Sequence, residues 1–212
     1  MNVLLVNTLY FPYKVGGAEK SVQILAEELA TKGHTVNVLT LMNGKELDRK
    51  ACVNNVNVHR LSLSNIYWPF LKTTNRKNIS KLIWHTFEIF NVVMMFKVMI
   101  KLYKLKPDLV HTNNIHGFSV AVWVACKLFK KPIVHTMRDY YLSCNSLTRY
   151  KSKKRCAHQC LSCQIFSFPK QQASRLVDLP VGISNFMSVK HISEGYYLKG
   201  ASNTTVYNVA NW

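Results

Sequence analysis

Polar residues follow four apolar runs of this sequence, at the points where predicted strands would end and loops begin. Ligands of open α/β sheets bind beyond the carboxyl ends of the strands, so we expect these residues to share one site. The candidates are Tyr13, Lys14, Gly16, Gly17 and Glu19 after the first run, His111, Asn113 and Asn114 after the second, Arg138 and Asp139 after the third, and Ser184 and Asn185 after the fourth.

The adjacent glycines Gly16 and Gly17 precede a segment of helical periodicity that ends at Gly33. Backbone N–H groups at a helix N-terminus carry a partial positive charge, so the glycine pair is a candidate phosphate site. A simple turn is the alternative. The dinucleotide-binding pattern of three glycines close to the strand is absent, because no glycine precedes Gly16.

Four cysteines form the pattern C-x11-C-x3-C-x2-C, in which the last two could reach one ion from a single turn. Thiolates suit tetrahedral zinc, so the pattern predicts a structural Zn²⁺ site. Unligated thiols and disulfides are the alternatives, and a reducing cytosol disfavours disulfides. His158 could replace one sulfur. The predicted ligands are Cys144, Cys156, Cys160 and Cys163.

Alternating strands and helices must position these residues, and their order predicts an α/β fold with a doubly wound parallel sheet. About seven strands are expected, at 3–6, 34–41, 56–61, from 108, at 132–136, 179–184 and 204–209. The helical segment 78–106 should break near Asn91, because its polar residues lie on nearly opposite faces. Further helices are expected at 117–129, 170–177 and 186–197, with a cysteine-rich insertion at 140–168 after strand five.

The charge balance predicts an anionic partner. The chain has 28 Lys and Arg against 10 Asp and Glu, a net charge of +18. Such a surface suits nucleic acid, an anionic membrane or phosphorylated ligands, and a solvated basic face is the alternative. We expect an anionic membrane surface, because lysines that include Lys97, Lys101 and Lys104 are interleaved with the aromatic residues Tyr67, Trp68, Phe70, Trp84, Phe87 and Phe90.

The sequence lacks a secretory signal pattern, and no apolar run approaches the roughly 20 residues of a membrane-spanning helix. A cytoplasmic protein, peripheral on the inner face of the cytoplasmic membrane, is therefore expected. Residues 1–212 are ample for a single domain.

Five segments, in order, resemble the N-terminal half of family 4 retaining glycosyltransferases, which have the two-domain GT-B architecture. Each consists of a strand or helix start with its flanking loop. They are the opening strand with Gly16-Gly17, the segment 107–114 (PDLVHTNN), the segment 132–140 (PIVHTMRDY), the segment 181–186 (VGISNF) and the segment 206–208 (VYN). The resemblance implies a Rossmann-like domain that helps transfer a hexose from a nucleotide-sugar donor to a glycan acceptor, expected to be lipid-linked, in bacterial surface polysaccharide synthesis.

The same resemblance implies roles for the candidate residues. It assigns the glycine loop to the donor diphosphate and the acceptor, and the segments after strands four and five to the acceptor and the reacting sugar. Many relatives have His-Asp where this chain has Arg138-Asp139. The arginine can bind phosphate or carboxylate but cannot shuttle a proton, and a structural pairing with Asp139 or the backbone is the alternative. His111 either contacts the reacting sugar or is satisfied by the backbone. No cofactor is required for the chemistry.

In the resembled family a second domain holds most of the nucleotide-sugar contacts, and it is not in this sequence. We therefore expect the chain alone to be inactive. The alternative function is a zinc-stabilised basic nucleic-acid-binding module. No known nucleic-acid-reading motif is present, so nucleic acid is the less favoured partner.

Overall fold

The computed structural model describes residues 1–13, 16–43, 50–70, 77–151, 154–198 and 204–208; the candidate residue Lys14 lies outside them. The strands are β1 (Asn2–Val6), β2 (Thr35–Met42), β3 (Lys50–Val53), β4 (Val56–Ser62), β5 (Leu109–Thr112), β6 (Ile133–Met137), β7 (Tyr150–Lys151), β8 (Lys154–Arg155), β9 (Leu179–Gly182) and β10 (Thr204–Thr205). The helices are α1 (Gly17–Thr31), α2 (Asn78–Ile89), α3 (Val92–Leu105), α4 (Ala121–Leu128), α5 (Leu161–Ser174) and α6 (Asn185–Ser193).

An eight-stranded sheet in the order β10-β9-β6-β5-β1-β2-β4-β3 forms the centre of the molecule. Every neighbouring pair is parallel except β3 and β4. The chain winds outward from β1 in one direction through β2 and in the other through β5. The predicted parallel sheet is confirmed, and its strand order reverses between β1 and β5, where open α/β sheets bind ligands.

The sheet buries apolar side chains on both faces, as a doubly wound sheet requires. On one face, Val22 and Ala26 of α1 pack against β1, β2 and β4. On the other, α3 and α4 pack against the sheet through residues such as Met94, Val98 and Trp123. The predicted doubly wound arrangement is therefore confirmed.

Two predictions about the strands and α4 needed correction. The sheet has an eighth strand, β3, which pairs antiparallel with β4 at the sheet edge. Helix α4 begins at Ala121 and not at 117, because Gly117 and Ser119 both have positive φ angles, 89° and 63°, which an α-helix does not contain.

The predicted break near Asn91 is confirmed. Phe90 and Asn91 have extended backbone, with φ of −149° and −90°, between α2 and α3. The Asn91 side chain accepts a hydrogen bond from the Met94 N–H at 3.0 Å and donates one to the Ser64 carbonyl at 2.7 Å. This N-cap starts a new helix and ties it to the segment that follows β4.

The faces of α2 and α3 that are buried and exposed differ from those that the sequence pattern indicates. Trp84 and Glu88 of α2 are buried, whereas large apolar side chains of both helices are exposed. Lys97 points inward and donates to the Ser62 carbonyl and the Ser64 hydroxyl, both at 2.7 Å. We call the exposed set the apolar ridge; it comprises Ile79, Leu82, Ile83, Phe87, Phe90, Val92, Val93, Phe96, Ile100 and Tyr103, each at least 41% exposed.

By length and composition, the segment Asn78–Leu105 could cross a membrane. Its most apolar stretch has a mean hydropathy of 1.4, and 28% of that stretch is buried. This finding differs from the expectation that no apolar run of the sequence is long enough to span a membrane. The break at Phe90–Asn91 divides the segment into helices of 12 and 14 residues. At a rise of about 1.5 Å per residue neither helix alone reaches across a hydrocarbon core of about 30 Å.

The predicted helix at 170–177 is wrong in its bounds. Turns and the β7–β8 hairpin occupy the first part of the segment predicted as an insertion, 140–168. Helix α5 begins at Leu161 and contains Pro169 in its interior, whereas the prediction had placed the helix start after the proline. Helix α6 is shorter than expected and ends at Ser193, ahead of Gly195, whose φ is +82°.

Candidate functional site

A cavity of about 270 Å³ opens where the carboxyl ends of β5, β6 and β9 face α1. Three different strands and a helix contribute to it, as expected at a switch point of strand order. Its lining residues are Ser21, Ile24, Leu25, Glu28, His111, Thr136, Arg138, Val181, Val206, Tyr207 and Asn208.

Arg138 follows β6 and is held by two asparagine side chains. Its Nε donates to Asn113 Oδ1 at 2.9 Å, and its Nη1 donates to Asn208 Oδ1 at 2.6 Å. The structural alternative for Arg138, a pairing with Asp139 or with the backbone, is therefore replaced by a pairing with neutral amides. These amides orient the guanidinium without neutralising its charge.

Burial lowers the pKa of Arg138 to about 10, and the carboxylate of Glu19 opposes this change. The group therefore stays charged at neutral pH. Among the described residues, no carboxylate lies within 4.0 Å of the guanidinium. A partly buried arginine of this kind can bind a phosphate or carboxylate through its planar fork of donors.

His111 lies at the end of β5, and its Nε2 is 2.8 Å from the hydroxyl of Thr136. Its partner is a side chain, which corrects the alternative of a histidine satisfied by backbone. Burial, and to a smaller extent the charge of Arg138, lowers the pKa of His111 to about 4. The imidazole is neutral at pH 7, so it can exchange hydrogen bonds with a sugar hydroxyl without adding charge.

Asp139 forms no ion pair with Arg138 and accepts a hydrogen bond from the backbone N–H of Tyr141 at 2.9 Å. Burial raises the pKa of Asp139 to about 6, while the bond from Tyr141 and the charge of Lys170 work in the opposite direction. Lys170 is itself buried and donates to the Tyr141 carbonyl at 3.2 Å. Asp139 thus orders the loop behind the cavity.

The glycine pair begins α1 as predicted, with Gly16 at the N-cap. The Gly16 N–H donates to Glu19 Oε2 at 2.9 Å, and Glu19 is buried. A phosphate at this N-terminus would therefore compete with the Glu19 carboxylate. A Cβ at Gly17 would meet no atom within 4 Å, so this position borders open space, and nearby Tyr13 is 46% exposed.

The remaining polar candidates divide between the cavity and the frame around it. Asn113 contacts Arg138, as described above. The backbone N–H of Asn114 donates to Asn7 Oδ1 at 3.0 Å, and its carbonyl accepts from the Thr8 N–H at 2.8 Å, so Asn114 joins the ends of β1 and β5. Ser184 caps α6 by accepting from the Met187 N–H at 3.2 Å, and Asn185 is exposed beside it.

Three of the four predicted zinc ligands come together. Cys160 is the N-cap of α5, and the thiols of Cys144 and Cys160 both interact with the thiol of Cys163. Hydrogen bonding, first to the Ser162 hydroxyl, lowers the pKa of Cys160 to about 7, whereas burial raises that of Cys163 to about 11. Cys156 instead lines a separate pocket with Arg155.

Across the described ranges, no three His, Cys, Asp or Glu side chains are placed to hold a metal ion. Zinc at the cysteines stays a prediction.

A family model described as Glycosyltransferase Family 4 matches residues 15–163, which is more than half of the chain. The chain belongs to glycosyltransferase family 4. A Klebsiella pneumoniae protein, described as an uncharacterized 42.6 kDa protein in the cps region, is 42% identical to this family 4 domain over 209 residues. Those residues are 98% of this chain and 55% of that protein, so the chain spans about half the length of the curated relative.

Solved structures confirm the predicted Rossmann-like half of a GT-B fold. The catalytic domain of starch synthase IV from Arabidopsis thaliana, bound to ADP and acarbose, superposes with a TM-score of 0.57 at 13% identity, covering 98% of this chain and 51% of that one. Sucrose-phosphate synthase from Thermosynechococcus elongatus gives a TM-score of 0.56 at 13% identity, covering 97% and 47%. At this identity the likeness concerns the fold.

Sequence reasoning missed several residues that line the cavity of the family 4 domain. Thr136 was taken only as part of a strand, although its hydroxyl contacts His111. Asn208 belongs to a segment that carries the family resemblance, and this signal could have placed it beside Arg138. Ser21 and Glu28 of α1 lie on the exposed side of an amphipathic helix, and no sequence pattern indicates that this side faces a cavity.

Proposed function

We propose that this family 4 domain is the acceptor-side half of a retaining glycosyltransferase that moves a hexose from a nucleotide sugar to a glycan acceptor in bacterial surface polysaccharide synthesis. The observation that carries the proposal is the cavity at the carboxyl ends of β5, β6 and β9, where charged Arg138, without an ion-pair partner among the described residues, lies next to a neutral His111. The relative from the cps region of Klebsiella pneumoniae supports a role in making a surface polysaccharide. The family match favours this function over the alternative of a zinc-stabilised nucleic-acid-binding module.

In the proposed reaction the protein supplies position and charge. A phosphate oxygen of the donor takes the proton of the acceptor hydroxyl on the face where the new bond forms, so no strong protein base is needed. Arg138 stabilises the negative charge that develops on the departing diphosphate, because a fixed cation in a water-poor site is most effective where charge appears. His111 orients a hydroxyl of the reacting sugar through a neutral hydrogen bond.

Replacing Arg138 tests this proposal in a protein that joins this domain to a nucleotide-sugar-binding domain. Arg138→Gln keeps hydrogen-bonding groups but removes the charge, so transfer, measured as release of nucleoside diphosphate, should fall roughly 100- to 1,000-fold. Arg175→Gln is the matched control, because Arg175 is exposed at the end of α5 and lies outside the cavity. A loss below threefold in Arg138→Gln, or an equal loss in the control, would remove Arg138 from the site.

The proposal includes a membrane partner, because the expected acceptor is lipid-linked. The apolar ridge provides the contact surface. Its ten large exposed side chains lie on α2, on α3 and in the break between them. The segment 77–106 contains six lysines, and its one acidic residue, Glu88, is buried. Apolar insertion together with attraction to anionic lipid is how an interfacial helix binds a bilayer. A second copy of this chain suits the ridge less well, because each copy has a net charge of +18.

A structural zinc ion remains part of the proposal in a narrower form. Cys144, Cys160 and Cys163 are the side chains that interact with one another, and Cys156 would have to move from its separate pocket to complete four ligands. Zinc there would hold the loop after Asp139 against the start of α5.

A further inference from the structure

A second pocket, of about 350 Å³, lies between the β7–β8 hairpin and the start of α6. It is separate from the cavity that contains Arg138 and shares no lining residue with it. Three of its side chains are cationic, two are aromatic and none is a carboxylate. The lining residues are Tyr140, Arg149, Arg155, Cys156, Ala157, Phe186 and Lys190.

The positive charges of this pocket exceed the negative charge that compensates them. Glu194 Oε1 accepts from Arg149 Nη1 at 2.6 Å and lies 3.1 Å from Lys190 Nζ. Arg155 forms no ion pair with any residue that the structure describes. One carboxylate therefore pairs with two of the three cations, and two positive charges remain in excess.

Arg149 is the second sign that the pocket is incomplete. The residue is only 4% exposed, and its Nη2 has no hydrogen-bond partner among the described residues. A buried charged group without a full set of partners is costly, and native structures normally supply the missing one. An anion in the pocket would compensate the excess charge and satisfy this guanidinium.

Aromatic rings hold the two guanidinium groups in place. Arg155 lies over the Phe186 ring at 4.7 Å, and Arg149 lies over the Tyr140 ring at 5.7 Å. Tyr140 is in turn stacked on His191, with ring centroids 5.9 Å apart and planes at 11°. Arginines fixed in this way lose little entropy when they bind an oxyanion, and their planar forks match phosphate and carboxylate oxygens.

We infer that this pocket binds a phosphate or carboxylate group of the acceptor. The assignment to the acceptor rests on the proposed function, because Tyr140 follows Asp139 directly and Phe186 follows the candidate residues Ser184 and Asn185. A phosphate of a lipid-linked carrier and the carboxylate of an acidic sugar present the same chemistry to the two arginines. The volume also accommodates part of the attached sugar.

Binding of small anions to this chain tests the inference. The probes are inorganic pyrophosphate, methyl phosphate and methyl glucuronide, with methyl glucoside as the neutral comparison, and binding is followed by NMR shifts of arginine Nε–H and backbone amide signals. We expect shifts at Arg149, Arg155 and the first turn of α6, and none with methyl glucoside. The tighter of the phosphate and carboxylate probes identifies the group that the pocket accepts.

Two substitutions and a matched control decide the outcome. Arg155→Gln and Lys190→Gln should each weaken binding of the preferred anion about tenfold, as expected when one charged donor is lost. Arg175→Gln makes the same change in net charge on the exposed end of α5 and should alter binding less than twofold. Equal losses in all three variants would show a general charge effect and overturn the site, as would unchanged binding in Arg155→Gln.

Failure of this inference and failure of the proposed function are distinguishable, because anion binding is measured without sugar transfer. Loss of the pocket's affinity with transfer intact would remove the pocket alone. An intact pocket in a longer protein that transfers no sugar would remove the proposed function and leave the anion site.

Discussion

Two arginines of this domain are held by different kinds of partner, and the difference determines what each can do. Arg138 is fixed by the neutral amides of Asn113 and Asn208, so it lines the cavity without a direct ion-pair partner among the described residues. Arg149 is fixed by the carboxylate of Glu194. The positive charge that can attract an anion there is the excess that remains in its pocket after this pairing. We therefore place the developing charge of the reaction at Arg138 and a stable anionic group near Arg149.

Asp139 should make the stability of the domain depend on pH. Its pKa is raised by burial from an ordinary value near 4 to about 6, so the folded state prefers the protonated form. A raised pKa of this kind contributes stability that is complete below pH 4 and is lost as the pH rises through 6. Two pKa units correspond to about 3 kcal/mol.

The Asp139→Asn variant should therefore gain stability relative to the native chain between pH 4.5 and pH 7.5, by up to about 3 kcal/mol. Urea unfolding at several pH values measures the difference. Glu28→Gln, at an exposed position of α1, is the control and should follow the native pH profile. Parallel profiles for Asp139→Asn and the native chain would mean that folding does not raise the pKa of this carboxyl.

The cysteines separate the zinc hypothesis from free thiols. If zinc is bound, the purified protein should contain about one equivalent of metal, and Cys160→Ser should remove it and expose the segment 140–160 to proteases, while the sheet stays folded. The sheet has its own apolar core on both faces, so it does not depend on metal. Cys52→Ser, at an exposed position of β3, is the matched control. Metal-free protein with rapidly alkylated Cys160 would exclude the site.

At the scale of whole elements, local signals gave α2 and α3 their bounds but not their orientation. Asn91 is a strong N-cap, and the break beside it was predictable. The buried face was not, because both faces of these helices carry large apolar residues, and burial of Trp84 and Glu88 depends on contacts with distant residues. Trp84 Nε1 donates to the Tyr67 carbonyl at 3.1 Å, and Glu88 accepts from the Gly117 N–H at 2.7 Å.

Helix α5 begins well before the predicted start at 170. Proline normally ends or kinks a helix, yet Pro169 lies inside α5. In the structure α5 runs through it, and buried Ser167, Lys170 and Ser174 of the same helix pack inward. The strand β3 was missed because it has only four residues, and the alternation of its two half-buried residues, Ala51 and Val53, is too short a pattern to indicate a strand.

The apolar ridge should be responsible for membrane binding. Phe96→Ser combined with Ile100→Ser should weaken binding to anionic vesicles by about 2 kcal/mol, or roughly 30-fold, because two half-exposed apolar side chains no longer enter the bilayer. Vesicle co-sedimentation measures the change. Raising the salt concentration above physiological strength should weaken binding further, since the screening length falls below about 8 Å.

A matched pair of valines controls for general surface hydrophobicity. Val93 on the ridge and Val189 on α6 are 56% and 49% exposed. Val93→Ser should reduce vesicle binding measurably, whereas Val189→Ser should not. Equal effects of the two changes, or equal binding to neutral vesicles, would contradict the ridge as the contact surface.

At the scale of the whole molecule, the ligand-binding features occupy one edge of the sheet. The cavity with Arg138 and the start of α1 lie at the carboxyl ends of the strands, and the separate cationic pocket includes Tyr140, which lies two residues after Arg138 in the chain. The parallel sheet and its switch point were predictable from the order of strands and helices. The two sites were less so, because each combines residues that are far apart in sequence, such as Arg138 with Asn208.

This arrangement predicts that the chain of 212 residues folds but does not transfer sugar. The cavity is about 270 Å³ and open to solvent on one side, so it provides only part of the enclosure that a nucleotide sugar requires. The chain corresponds to 55% of its Klebsiella relative, and we expect the other part of such a protein to bind most of the donor.

Cooperative thermal unfolding of the chain should first establish that it is folded. Incubation with a panel of nucleotide sugars should then release no nucleoside diphosphate above background, whereas the longer protein should release it. Turnover by residues 1–212 alone would show that the acceptor-side cavity is a complete active site and would contradict the division of labour between two domains.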